Sequence, residues 1–205
     1  MNFEEQGNGA PGALSIQTER LWLRKLKKGD AAALSSYRSL PEVYAYQLWR
    51  AGTVSDAAAF ISGTADRLDH TGTWYQLGIF RTGDPDLIGD IGIHFLSSEK
   101  GEVELGFTLA PAFQGKGYAT EAVSAVINYL FADLRKRRIV ITVDPRNVRS
   151  RRLAARLGMV RTGCYDQQIP GSGDMCIDIT YALNTEDWPL SKQPFPSKNQ
   201  YSTPD

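Results

Sequence analysis

Gln114-Gly115-Lys116-Gly117-Tyr118-Ala119-Thr120 is the stretch of this 205-residue chain whose residue types bear most directly on chemistry. Two glycines one residue apart tolerate positive φ and let the backbone approach a ligand closely. Consecutive N–H groups can then converge on an anion where a helix begins. Lys116 adds a mobile positive charge, and no Ser, Asp or Asn directly precedes Gly117 to satisfy the first helical N–H groups with its own side chain. The segment is a candidate phosphate cradle, or else an ordinary glycine turn. Its spacing rules out two other phosphate loops. A P-loop requires GxxxxGK[ST], whereas Gly115-Lys116-Gly117 is followed by Tyr118; a dinucleotide loop requires a third glycine where Thr120 stands.

Upstream, Glu102 to Leu109 alternates in character. Glu102, Glu104, Gly106 and Thr108 share one face of a strand, and Val103, Leu105, Phe107 and Leu109 share the other. Two carboxylates that point together are candidates for proton transfer. Downstream, Asn147 and Ser150 stand where a strand gives way to a helix, a place where Asn147 also serves simply as an N-cap. His70 and His94 lack Cys or His partners at ligand spacing, and no Ser-His-Asp arrangement is present, so no metal is expected.

These residues need elements to position them. Arg20 to Leu26 reads as an early strand. Asp30 is a candidate N-cap for a helix over Ala31 to Leu40, ended by Pro41, and Ser55 or Asp56 for a second helix running to about Leu68. Trp74 to Phe80 and Leu87 to Phe95 are apolar runs joined by the turn formers Arg81 to Asp86, and with Glu102 to Leu109 they form an antiparallel meander. Ala119, Ala122, Val123, Val126, Ile127, Leu130 and Phe131 lie on one helical face. Ile139 to Val143 reads as a strand covered on both sides, pairing in parallel after that helix. A last helix spans Val148 to Leu157 before Gly158, and Met159 to Ile169 with Met175 to Leu183 close a final hairpin. Trp22, Trp49 and Trp74 are read as core aromatics ahead of the alternative, a groove or a dimer contact.

The composition sets outer bounds. A 205-residue chain that is 42% hydrophobic supports one substantial core, read as a single domain over 15–188 with mobile arms at 1–14 and 189–205. Lys plus Arg and Asp plus Glu each total 23, so no long-range field favours nucleic acid or an anionic membrane. Two cysteines, Cys164 and Cys176, suit neither a disulfide framework nor a metal site and point to a reducing cytoplasm. No apolar run reaches the roughly 20 residues of a membrane span. The arginines at 135, 137, 138, 146, 149, 151 and 152 are read as cations at helix ends and as solvated or phosphate-contacting side chains, ahead of the alternative, a nucleic-acid or ribosome surface.

Four separated motifs carry a resemblance to a known family. Gln114 to Ala119 is similar to the Q/R-x-x-G-x-G/A motif of the GNAT (GCN5-related N-acetyltransferase) superfamily. Glu104-Leu105-Gly106-Phe107, Gly115 to Ala122, Asn147-Val148-Arg149-Ser150 and Leu157-Gly158-Met159 resemble, in order and spacing, its ribosomal-protein alanine acetyltransferase branch, RimJ/RimL. The opening Thr18-Glu19-Arg20-Leu21-Trp22-Leu23-Arg24 is similar to that branch too. Gln114 stands where arginine is more frequent, and Met159 where phenylalanine is usual.

The resemblance spans roughly residues 16 to 183. It implies an α/β (α+β) GNAT fold with a mixed, mostly antiparallel sheet of six to seven strands and helices on both faces. The fourth and fifth predicted strands splay apart around the pantetheine of acetyl-CoA. The implied cofactor contacts are Phe107, Thr108, Leu109, Gln114, Gly115, Lys116, Gly117, Tyr118, Ala119, Thr120 and Asn147. The implied chemistry is transfer of an acetyl group to the primary amine of a protein N-terminus or a small molecule. For it Glu104, ahead of Glu102, is the candidate base and Ser150, ahead of Tyr165, the candidate acid, with a backbone N–H near Leu109 for the oxyanion. Selectivity for the acceptor is expected from the segment between Pro41 and Ser55 and from the Pro170 to Asp174 loop. A monomer or homodimer with no membrane or nucleic-acid partner completes the expectation. Small-molecule detoxification and a non-catalytic acyl-CoA-binding module are the competing readings.

Overall fold

Strands and helices follow one another as β1 (Ser15–Gln17), β2 (Leu21–Lys25), α1 (Ala31–Arg38), α2 (Pro41–Tyr44), α3 (Val54–Gly63), β3 (Trp74–Arg81), β4 (Leu87–Ser97) and β5 (Glu102–Leu109). The second half adds α4 (Tyr118–Ala132), β6 (Arg138–Val143), α5 (Val148–Leu157), β7 (Val160–Gln168) and β8 (Met175–Asn184). The structure, a computed structural model, describes residues 14–47, 49, 51–97, 101–168 and 175–189. The Pro170–Asp174 loop, the Tyr165 side chain and the terminal arms other than Leu14 and Pro189 lie outside the described residues.

One eight-stranded sheet runs β1-β2-β3-β4-β5-β6-β8-β7. Every neighbouring pair is antiparallel except β5 and β6. The count exceeds the expected six to seven because Ser15–Gln17 adds an edge strand to β2. Leu14 just before it is buried and donates its N–H to Tyr75 Oη at 3.2 Å.

The parallel pair is short. Glu102, Val103 and Glu104 pair with Arg138, Ile139 and Val140, after which β5 continues to Leu109 and β6 to Val143 without further pairing to each other. The two strands keep their outer partners: β5 stays on β4 through Leu109, and β6 stays on β8 through Val143. A wedge therefore opens in the sheet at its centre.

Helices cover both faces. The larger core places Val123, Val126, Ile127 and Leu130 of α4 and Leu153 and Leu157 of α5 against Leu77, Ile91, Val103, Leu105 and Ile139 of the sheet. Each such side chain contributes about 1.5–3 kcal/mol by leaving water. More of α4 is buried than its apolar stripe requires, because Trp188 covers a second side and its Nε1 donates to Asn128 Oδ1 at 2.6 Å. On the opposite face Leu34 and Tyr37 of α1 and Ala57 and Ile61 of α3 pack with Phe80 and Leu87.

Local chemistry differs from expectation at four places. Thr53, rather than Ser55 or Asp56, caps α3: its hydroxyl accepts from the Asp56 N–H while the Asp56 carboxylate accepts from the Thr53 N–H. That helix stops at Gly63, five residues before Leu68, and Thr64 returns to extended backbone. Asp30 precedes α1 but makes no side-chain cap, because its carboxylate accepts from the Arg24 guanidinium and the Lys27 N–H instead. Trp22 and Trp74 remain 40% and 39% exposed rather than entering the core.

Candidate functional site

The wedge between β5 and β6 leads into a cleft of about 1230 Å³. Its walls come from the end of β5, the loop after it, the outer turns of α4, the start of α5, and α2 with the residues that follow it. The phosphate-cradle candidate forms one end. Gly115 and Gly117 both adopt positive φ, 76° and 84°, and Gly117 is the N-cap of α4. A Cβ on Gly117 would stand 3.3 Å from Arg20 Nη2, so a side chain there is disfavoured by both backbone and space.

Among the described residues nothing uses the amides of this loop. The first N–H of α4 to reach a helical carbonyl is that of Glu121, on Gly117 O at 3.1 Å, and Gly117 supplies no side-chain cap. Among the described residues no acceptor engages the N–H groups of Gly115 to Thr120. Unpaired donors at the positive end of a 15-residue helix, beside two positive-φ glycines, are the arrangement that binds phosphate oxygens.

The other end of the cleft is the splayed edge of β5. Ala110 donates to Ile88 O at 2.9 Å. By the alternation of an antiparallel ladder, the N–H and C=O of Leu109 then face away from β4 and into the wedge. Gln114 confirms the direction of the carbonyl: its Nε2 donates to Leu109 O at 2.9 Å. Gln114 Oε1 accepts from Arg149 Nη1 at 2.6 Å, so one side chain ties the end of β5 to the first turn of α5. Thr108, on the opposite face, accepts from Gln47 Nε2 at 2.8 Å.

Of the residues singled out from the sequence, Phe107, Thr108, Leu109, Gln114, Gly115, Gly117, Tyr118, Ala119, Thr120, Asn147 and Ser150 all line this cleft. Asn147 caps α5, its Oδ1 accepting from the Ser150 N–H at 3.1 Å. Lys116 and Glu104 are not on the lining. The Lys116 ammonium lies 5.7 Å from the centre of the Phe113 ring. Glu104 points to the same sheet face as Thr108 but belongs to the last paired position of β5 and β6, where its Oε2 is 3.4 Å from His94 Nδ1. The ground between Glu104 and Thr108 is Gly106, flanked by the Trp74 indole, which stacks on His94. Glu102 is engaged at 3.1 Å by Arg138.

Several lining residues carried no readable signal. Gln47, Tyr46 and Val43 come from α2 and the residues after it, and Trp188 from beyond β8. Arg149, Arg152 and Arg156 do have a signal, since i, i+3 and i+7 spacing puts them on one face of α5, and that face borders the cleft. Four other cations of the basic stretch are engaged structurally. Arg146 grips Asp144, holding its carboxyl below the usual carboxylate range, and Arg151 donates to Pro145 O at 3.1 Å. Arg138 binds Glu102, and Lys136 binds Asp69.

A mixed sheet that opens between two parallel strands, with a glycine loop and helix N-terminus at the mouth of the opening, defines the GNAT class of acetyltransferases. The chain belongs to that family: residues 20–160 match the acetyltransferase (GNAT) domain. It is 30% identical over 176 residues to the uncharacterized N-acetyltransferase YnaD of Bacillus subtilis (strain 168), covering 85% of this chain and 99% of that protein. It is 28% identical over 180 residues to the [ribosomal protein uS5]-alanine N-acetyltransferase of Escherichia coli (strain K12), covering 84% of this chain and 92% of the relative. A crystal structure of a GNAT-family acetyltransferase from Bacillus anthracis superposes with a TM-score of 0.74 at 28% identity, covering 84% of this chain and 99% of that one. No helix among the described residues is long and apolar enough to cross a membrane.

Proposed function

We propose that the protein moves an acetyl group from acetyl-CoA to a primary amine, a protein N-terminus or a small molecule, within one ternary complex. The observation that carries this reading is the run of unpaired amides from Gly115 to Thr120 at the mouth of a wedge in the sheet. Bound there by its diphosphate, acetyl-CoA supplies an activated acyl carbon and a thiolate leaving group. The residues present suit it: free N–H donors, a glycine at a positive φ that side chains rarely adopt, and Arg149, Arg152 and Arg156 along the border.

The protein's own groups then have separate tasks. The Leu109 N–H, directed into the wedge, hydrogen-bonds the acyl oxygen as negative charge develops on it. Glu104 accepts the proton of the incoming ammonium through water across the side-chain-free ground at Gly106, which its distance from the cleft lining requires. Ser150, on the first turn of α5, gives its proton to the departing sulfur and takes in exchange the proton that the nitrogen sheds as the amide forms. Thr108 and Gln47 border the side from which the amine arrives.

The test is ligand-dependent melting. Acetyl-CoA at about 100 times its dissociation constant adds roughly 2.7 kcal/mol and raises the melting temperature by about 5–10 °C. Gly117→Glu, which puts a side chain and a negative charge into the cradle, abolishes the shift. A wild-type protein whose melting does not respond to acetyl-CoA sinks the reading.

A further inference from the structure

Glu121 presents a problem of charge. It stands on the first turn of α4, its side chain is only 12% exposed, and it borders the same cleft as the free amides. A carboxylate there competes with a polyanion for the positive end of the helix and repels it. Electrostatics alone makes Glu121 an obstacle to diphosphate.

Its partners give it another use. Oε1 accepts from Thr18 Oγ1 at 2.6 Å and from the Arg20 N–H at 3.0 Å, and Oε2 accepts from Arg20 Nε at 2.7 Å and Nη2 at 2.5 Å. The carboxylate is thus saturated by the turn between β1 and β2, and Thr18 fixes that turn by also accepting from the Leu21 N–H at 2.9 Å. The same guanidinium reaches into the loop. Arg20 Nη1 donates to Lys116 O at 3.2 Å, and its carbon lies 4.8 Å from the centre of the Tyr118 ring.

The contact with Lys116 O fixes a peptide plane. In a trans peptide the C=O of one residue and the N–H of the next point in opposite directions, so drawing Lys116 O toward Arg20 turns the Gly117 N–H away from Arg20. A loop with positive-φ glycines at 115 and 117 otherwise samples many orientations, and ordering them costs binding free energy.

We propose that Thr18, Arg20 and Glu121 form a clasp that holds the Gly115 to Thr120 amides in their anion-binding arrangement before ligand arrives. Arg20 and Glu121 are then positioning residues for the donor diphosphate. The inference rests on the reading that this loop binds acetyl-CoA, and it adds a role for the turn between β1 and β2 and the first turn of α4.

The sign of one mutation separates the clasp from simple electrostatics. Removing a negative charge next to a polyanion site tightens binding if charge alone matters; removing the clasp's anchor weakens it. CoA is titrated calorimetrically into wild type, Arg20→Ala, Glu121→Ala and the double variant. Each single variant is expected to raise the dissociation constant about tenfold, and the double variant no more than either single one. Arg20→Lys, which keeps the charge and loses the fork, stays weak. Thr18→Val, which leaves both charges and the helix intact, weakens CoA about threefold. In the ligand-free variants, amide exchange accelerates at position 121, whose N–H is the first of α4 to be hydrogen-bonded, but not in Ile139 to Val143. Wild type that binds CoA while Glu121→Ala binds it equally or more tightly overturns the clasp and leaves the assignment of the loop intact. Wild type that does not bind CoA overturns both.

Discussion

The Arg38 guanidinium holds the Asp90 carboxylate, which is 0% exposed, in the centre of the sheet face beneath α1. Arg38 Nε donates at 3.1 Å and Nη2 also donates, while Tyr37 Oη and Gln76 Nε2 each donate at 2.5 Å. Four donors saturate a carboxylate that is shielded from solvent. From this anchor Arg38 Nη1 donates to Gln47 Oε1 at 3.0 Å, and Gln47 Nε2 donates to Thr108 at the cleft wall. Because the amide oxygen is taken by Arg38, only its N–H side can face Thr108. The pair thus orients a residue of the proposed acceptor side from inside the core.

Asp90→Ala leaves a buried guanidinium without its counter-ion and orphans the donors of Tyr37 and Gln76. The loss expected from breaking a buried pair on one side is about 3–5 kcal/mol, checked by urea denaturation. A loss below about 1 kcal/mol means that the pair is screened by water.

Tyr37 adds a dependence on pH. Burial first, and then the adjacent Asp90 charge, raise its pKa well above the usual tyrosine value. In the unfolded chain Tyr37 ionises near pH 10, while in the folded protein it stays neutral. The stabilisation is therefore complete below about pH 10 and is lost as pH rises through the folded value. Tyr75, raised by burial, acts in the same direction. Tyr37→Phe is expected to lower stability at pH 8 through the lost hydrogen bond. It also flattens the decline above pH 10 by as much as about 1.4 kcal/mol per pH unit, measured by denaturation across pH 8–11. An unchanged alkaline slope removes Tyr37 as its source.

What was legible in the sequence followed from local rules. The α4 stripe, the alternation in β5 and the glycines of the loop each encode their own geometry, and so the loop residues singled out in the sequence border the cleft, Lys116 excepted. The clasp and the Asp90 network were not legible, because Thr18 and Glu121 are 103 residues apart and Tyr37 and Asp90 are 53 apart. Polar residues that meet only through tertiary packing show no spacing. Glu104 shows the opposite limit: alternation gave its face correctly, but only the end of pairing at Val140 locates it relative to the wedge.

Asn147 separates capping from cofactor contact. As the N-cap of α5 it contributes about 1 kcal/mol, which Asn147→Asp retains and Asn147→Ala loses. If its only task is the cap, CoA affinity follows stability and Asn147→Asp binds normally. Weak CoA binding by Asn147→Asp, with unchanged melting of the free protein, assigns the side-chain amide a direct contact with the ligand.

Glu104 and Ser150 are distinguished by what each change does to rate rather than binding. Neither contributes to the loop amides, so Glu104→Gln and Ser150→Ala are expected to keep the acetyl-CoA melting shift and to lower kcat by about 10²-fold or more. Their pH profiles then differ. Loss of a base removes the low-pH limb of kcat/KM, whereas loss of an acid acts on the high-pH limb. Glu104 lies off the cleft lining, so its effect must pass through water, and Glu104→Asp, shorter by one methylene, is expected to keep much of the rate. A Glu104→Gln enzyme with wild-type kcat on a working amine excludes Glu104 from proton transfer. The base then lies nearer Thr108, where Glu42 and Tyr46 also border the cleft.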